Sequence, residues 1–176
     1  MSQGKNGRPT QLRLIVRKGQ SCYGKVAHTP TRRLVLIDIE NYCGKGVLIP
    51  EDIRDAKKNI CRELELRDED LVVIGTSHGN NCLVCGSEWM GPRQVLRHGH
   101  DGADIALIDA SREYRLETFS SVVIVSGDGI FSAVASAVRT SRRSVTVALG
   151  RGRLSNRLRF AASDVKHIQP DMKPAA

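Results

Sequence analysis

The chain has 176 residues, enough for one domain with a proper core and too few for two ordinary ones. Hydrophobic residues at 40% and charged residues at 26% describe a folded globular chain, not a disordered one, and no apolar run approaches the ~18 residues of a membrane span. The 27 Lys and Arg against 19 Asp and Glu give a net charge of +8, which points to an anionic partner.

That charge is unevenly placed. Residues 1–33 hold eight basic residues and no acid, Leu34 to Val138 sum to −7, and Arg139 to the end sums to +7. An acidic middle is bracketed by two basic ends. The longest apolar stretch near the start, Leu14-Ile15-Val16, is far short of the ~7–15-residue core of a signal peptide. With an odd count of five cysteines, this predicts free thiols, a cytoplasmic location and no membrane partner.

In chain order, residues 1–33 read as a basic tail punctuated by Gly4, Gly7, Pro9, Gly19, Gly24 and Pro30, with one alternation, Leu12, Leu14 and Val16, that predicts an edge strand. Four continuous apolar runs follow: Leu34–Ile37, Leu71–Ile74, Val122–Val125 and Val145–Leu149. Unbroken β-branched runs indicate strands buried on both faces, as in a parallel sheet. Pro50-Glu51-Asp52 opens a helix that reaches about Leu66, with proline at the first position and acids in the first turn. Residues 78–100, with Cys82-x-x-Cys85, Trp89 and Pro92, predict a short helix and then a strand around Gln94-Val95-Leu96. Further helices are expected from Asp101 to about Ser111, from Ile130 to about Arg139, and after Gly152; Val165-His167-Ile168 predicts a last edge strand. Strand–helix alternation over residues 34–169 makes an α/β domain, a three-layer α/β/α sandwich with a mostly parallel sheet and right-handed crossovers. Residues 170–176 form a short tail.

Ligands of open parallel sheets bind beyond the carboxyl ends of the strands. The first strand ends in Asp38-Ile39-Glu40-Asn41, the strand at 122–125 ends in Ser126-Gly127-Asp128-Gly129, and Asp104 lies in the first turn of the helix from Asp101. Two carboxylates about 4 Å apart repel by ~4 kcal/mol at an effective dielectric of ~20, so three converging ones call for a cation or a proton. An all-oxygen set of this kind suits Mg²⁺ or Mn²⁺, which can activate water and neutralise charge on a phosphodiester. Such a site repels a phosphate backbone, so substrate affinity has to come from basic residues around it.

Asp38-x-x-Asn41 after an apolar strand, Gly102-Ala103-Asp104-Ile105 through Asp109, and Val125-Ser126-Gly127-Asp128-Gly129-Ile130-Phe131 together resemble the three motifs of NYN domains. These belong to the PIN-like, metal-dependent ribonuclease superfamily. The resemblance spans Arg33 to Ile168, and Leu154-Ser155-Asn156-Arg157-Leu158-Arg159 is similar to a small bacterial branch. It implies a PIN-like, Rossmann-like topology. It also implies Asp38, Asp104 and Asp128 as catalytic metal ligands, Asn41 as a catalytic residue holding the site, and Ser126 close enough to bond a ligand. One departure stands out: many NYN domains carry an acid where this chain has Ile130, so one ion is expected and a second is in doubt.

The same residues have plainer roles to compete with. Asp38 and Asp128 can cap turns, and Asp101 and Asp104 suit a helix start. Cys82 and Cys85 lack a second pair, so packing as small apolar groups is favoured over redox or zinc chemistry. His78, past the second strand, is placed on the rim as a substrate contact, and Glu40 is left undirected. Asp109, five residues after Asp104, falls ~140° around the helix and is left out. Seven arginines and no acid lie between Arg139 and Arg159, and Arg151, Arg153 and Arg157 are expected to touch phosphate. Aromatics are 4% of the chain and only Tyr42 adjoins a motif, so base stacking looks poorly supplied.

The expectation is a metal-dependent ribonuclease, which by the resemblance would cleave single-stranded RNA by metal-activated water and leave a 5′-phosphate, with RNA as the partner and a homodimer as a candidate assembly. The alternatives are an RNA-binding module that kept the fold without catalysis, and a nucleotide or small-molecule binder. The latter predicts a closed pocket, and the chain has no glycine-rich phosphate loop after its first strand.

Overall fold

The structure, a computed structural model, describes residues 30–169, so the predicted edge strand at Leu12–Val16 and the tail from residue 170 lie outside the described residues. Six strands, β1 (Leu34–Asp38), β2 (Leu71–Thr76), β3 (Arg93–Leu96), β4 (Ser121–Val125), β5 (Ser144–Leu149) and β6 (Asp164–His167), form one sheet in the order β3-β2-β1-β4-β5-β6. Every neighbouring pair is parallel, so the sheet is wholly and not merely mostly parallel. This is a Rossmann/PIN-like α/β architecture. Among the described residues no helix is long and apolar enough to cross a membrane.

The continuous apolar runs are explained by burial on both faces. Val35, Ile37, Ile74, Val123 and Val125 pack on one side under α1 (Ile39–Cys43), α2 (Pro50–Glu63) and α3 (Gly79–Glu88). Leu34, Leu36, Val73, Val122 and Ile124 pack on the other side against α4 (Gly102–Arg112), α5 (Ser132–Thr140) and α6 (Asn156–Ala161). Those two faces make the three layers.

Several boundaries move for local reasons. The helix from Pro50 stops at Glu63 because Glu65 takes a left-handed φ of 47°. The helix expected from Ile130 starts at Ser132, since Gly129–Phe131 winds as a 3₁₀ turn capped by the Asp128 carboxylate. Arg33, read by charge as part of the basic tail, is fastened to the domain: its guanidinium reaches Asp70 at 2.5 Å and the Leu64 carbonyl at 2.9 Å. Burial alone would raise the Asp70 carboxyl, but hydrogen bonds from Arg33 and from the Arg67 backbone N–H outweigh it and hold the group below its usual range.

Sheet register positions the site. Leu34, Leu36 and Asp38 alternate onto the α4 side of β1, and Asp38 stands opposite Gly75 of β2. A Cβ on Gly75 would come within 2.5 Å of the Leu107 side chain and 2.8 Å of the Ala103 carbonyl oxygen. The missing side chain therefore lets α4 lie directly on the sheet, which brings Asp104 to the end of β1. Gly75→Ala should lower stability in urea denaturation by about 1–3 kcal/mol, the usual cost of overpacking; an unchanged midpoint would mean that α4 is not seated by this contact.

Candidate functional site

Strand order reverses between β1 and β4, and an open α/β sheet has its ligand crevice at such a switch point. A cleft of about 710 Å³ opens beside it at the carboxyl edge, over the ends of β1, β2 and β3, lined by Asp38, Asn41, Asp104, His78, Lys45 and Gly152 among others.

Asp38 is 4% exposed. One of its oxygens accepts the Asn41 backbone N–H at 3.1 Å as the N-cap of α1, and the other accepts the Ser126 hydroxyl at 3.3 Å. The plain capping role and a site role thus coexist in one side chain, because a carboxylate has two oxygens to share. Asp104 is 7% exposed, and its Oδ1 is buried without a hydrogen-bond partner. Burial, the Asp38 charge, a hydrogen bond with Asp38 and the charges of Asp128 and Asp101 push the Asp104 carboxyl up to about 8. Burial also raises Asp38, only partly offset by its hydrogen bonds from Asn41, Asp104 and Ser126. Two carboxyls that resist being charged together sit at the floor of the cleft.

Asp128 is near enough for its charge to act on Asp104 but does not line the cleft. It is exposed at the rim, one oxygen accepts the Ile130 N–H at 2.9 Å, and its backbone N–H reaches the Ser126 hydroxyl at 3.2 Å. Ile130 packs against the core on the α4 side. Among the described residues no three His, Cys, Asp or Glu side chains close up as a ready metal cluster. The donor set that does fit a divalent ion is the Asp38–Asp104 pair with its unpartnered oxygen. Mg²⁺ commonly takes one or two carboxylates and keeps several waters, which suits this pair. Asn41 works as a fastener: its Oδ1 accepts the Gly127 N–H at 3.1 Å and ties the turn after β4 to α1.

The sequence left Glu40 undirected because strand alternation ends where α1 begins. Its carboxylate swings toward β2, accepting the Ser77 N–H at 2.9 Å, the Ser77 hydroxyl at 2.5 Å and the Asn81 amide at 2.6 Å. The Ser77 oxygen lies 2.7 Å from Nδ1 of His78. Ser77 has one hydroxyl hydrogen, and Glu40 takes it, so His78 Nδ1 must be the donor. The tautomer is thereby set, with Nε2 left over on an exposed ring that lines the cleft. No sequence motif announced this Glu40–Ser77–His78 chain.

The arginines lie around the cleft, not inside it. The loop after β5 folds over α1: Arg151 N–H donates to the Tyr42 carbonyl at 3.0 Å, and a Cβ on Gly152 would meet Asn41 Oδ1 at 2.5 Å. Arg151, Arg153 and Arg157 are exposed beyond it and do not line the cleft. Asp109 pairs with Arg97 and Arg112 on the surface, away from the site. Cys43 and Cys85 are buried, and burial pushes both thiols up to about 12, so they pack and do not react.

No family model matches the chain, and no curated protein matches it. Among solved structures, a crystal structure of a protein of unknown function, VPA0982 from Vibrio parahaemolyticus RIMD 2210633, is similar at a TM-score of 0.55 and 18% identity. The match covers 81% of this chain and 96% of that one. The likeness is one of fold. It agrees with the parallel α/β sheet and carries no function with it.

The raised carboxyl of Asp104 gives a signed expectation. In the unfolded chain it titrates near its ordinary 3.8, so between about 4 and about 8 the folded state holds the extra proton and loses relative stability as pH rises. In EDTA, thermal melts of the wild type and Asp104→Asn should nearly coincide at pH 5, with the variant melting higher by pH 8.5. Parallel curves would contradict the buried pair.

Proposed function

We propose that the chain is a metal-dependent ribonuclease of the NYN kind within the PIN-like superfamily, acting on single-stranded RNA. The observation that carries this reading is the pair of buried carboxyls, Asp38 and Asp104, at the sheet's switch point with one oxygen left unpartnered. Asp38 and Asp104 would hold one Mg²⁺ or Mn²⁺, which when bound supplies an activated water and neutralises charge on the scissile phosphodiester.

The chain's own groups do the rest. The Ser126 hydroxyl fixes the orientation of Asp38, and Asn41 holds the turn that carries Ser126 and Asp128 against α1. His78, oriented by Ser77 and Glu40, presents Nε2 to the cleft as an acceptor that can bond the substrate. The water would supply its hydroxide to phosphorus and its proton to the departing 3′ oxygen, leaving a 5′-phosphate on one product and a 3′-hydroxyl on the other. Arg151, Arg153 and Arg157 sit where an RNA backbone would approach, offsetting the repulsion from the acidic floor.

The rim position of Asp128 and the apolar Ile130 favour one competing reading, an RNA-binding module without catalysis. One assay separates the two. End-labelled single-stranded RNA with Mn²⁺ should be cut by the wild type and spared in EDTA. Asp38→Asn should lose more than about 100-fold in rate, beyond the cost of losing an outer-shell partner, while melting no lower than the wild type. Metal-independent binding with no cleavage would sink the nuclease reading and leave the binding module.

A further inference from the structure

The aromatic residue beside the first motif offers no stacking face, since Tyr42 is 7% exposed and belongs to the core. Phe160 is its opposite. It lies on α6 and is 80% exposed, although full burial of a side chain of this kind is worth about 1.5–3 kcal/mol. Arg157 precedes it by three residues and shares its side of the helix. From α5 the Arg139 guanidinium reaches across to the Phe160 carbonyl at 3.3 Å. No acid occurs between Arg139 and Ser163. An uncovered ring therefore stands on a helix that carries basic and no acidic side chains.

Its place relative to the site is fixed by the loop before α6. Ser155 N–H donates to the Gly127 carbonyl at 2.8 Å, and Arg157 Cβ lies 4.0 Å from where a Cβ on Gly129 would stand. Gly129 follows Asp128, so Arg157 adjoins the turn that carries Asp128, whose charge acts on Asp104 in the cleft. Phe160 comes next, ~4.5 Å further along the helix axis.

We infer that Phe160, with Arg157 and Arg139, is a stacking platform for an unpaired base of a single RNA strand that leaves the carboxylate cleft along α6. The inference rests on the RNA reading of that cleft. A duplex stacks its bases on each other, so a lone exposed ring can engage only a base that is free of a partner, while the guanidinium groups take the phosphates on either side. The platform thus deepens the proposed function by supplying a preference for single strands, which an acidic cleft with a basic rim does not provide.

The test is binding of a short fluorescein-labelled single-stranded RNA to the full chain in EDTA, followed by anisotropy at several salt concentrations. Phe160→Ala and Phe160→Leu should each weaken binding about fivefold or more without changing the salt slope. Phe160→Trp should retain affinity, and its new indole should be quenched by RNA against the background of Trp89, which is 4% exposed. Arg157→Ala should instead reduce the slope by about 0.7. Unchanged affinity in Phe160→Ala overturns the platform. So does an affinity loss that accompanies a dimer-to-monomer change in sedimentation, which would make Phe160 a contact between copies of the chain. If the wild type binds RNA but does not cut it with Mn²⁺, the nuclease reading fails and the platform stands. If it binds no RNA, both fail.

Discussion

The structure turns on holding two carboxyl groups, Asp38 and Asp104, together in a place that neither solvent nor a basic side chain relieves. At close range such a pair costs about 4 kcal/mol when both members are charged, a large share of the 5–15 kcal/mol by which a domain is stable. Three ordinary features enforce it. The alternation of β1 sends Asp38 to the α4 side, Gly75 admits α4 to contact with the sheet, and apolar strands on both sides lock the register. The fold tolerates the pair through a proton held to about pH 8, and a divalent cation would relieve it in the same way.

Around that centre the charge is zoned. The segment with the site's carboxylates is net acidic, and the segment that folds over it, from Arg139 onward, is net basic. The loop after β5 converts this sequence asymmetry into a spatial one. Glycines at 150 and 152 let it pass against the Tyr42 backbone and the Asn41 side chain, and its arginines fall outside the cleft. A polyanion approaching this edge would meet the basic rim before the acidic floor. The +8 of the whole chain understates this arrangement, because the two zones nearly cancel within the domain.

Much of this was legible in the sequence because it depends on periodicity. Unbroken runs of Val, Ile and Leu gave the buried parallel strands, and residues just past their ends gave Asp38, Ser126 and Asp128. Asp104 could be placed because its helix begins at the same edge. What stayed hidden depends on chain geometry between elements. Glu40 bonds Ser77 only because α1 starts one residue after β1 ends, so no spacing rule links the two. Asp128 was grouped with the other carboxylates by motif, yet the 3₁₀ turn that it caps keeps it at the rim. Exposure of single aromatics was also unreadable: Tyr42 beside the first motif is buried, and Phe160 on α6 is bare.

The measurement that bears most directly on the paired carboxyls is calorimetric titration of Mn²⁺ into the full chain and into Asp38→Asn, with thermal melts in the same buffer. A single saturable site on the wild type that disappears in a variant melting no lower is the result expected of a cation centre built on Asp38 and Asp104. Equal Mn²⁺ binding by both proteins, or none by either, would contradict it.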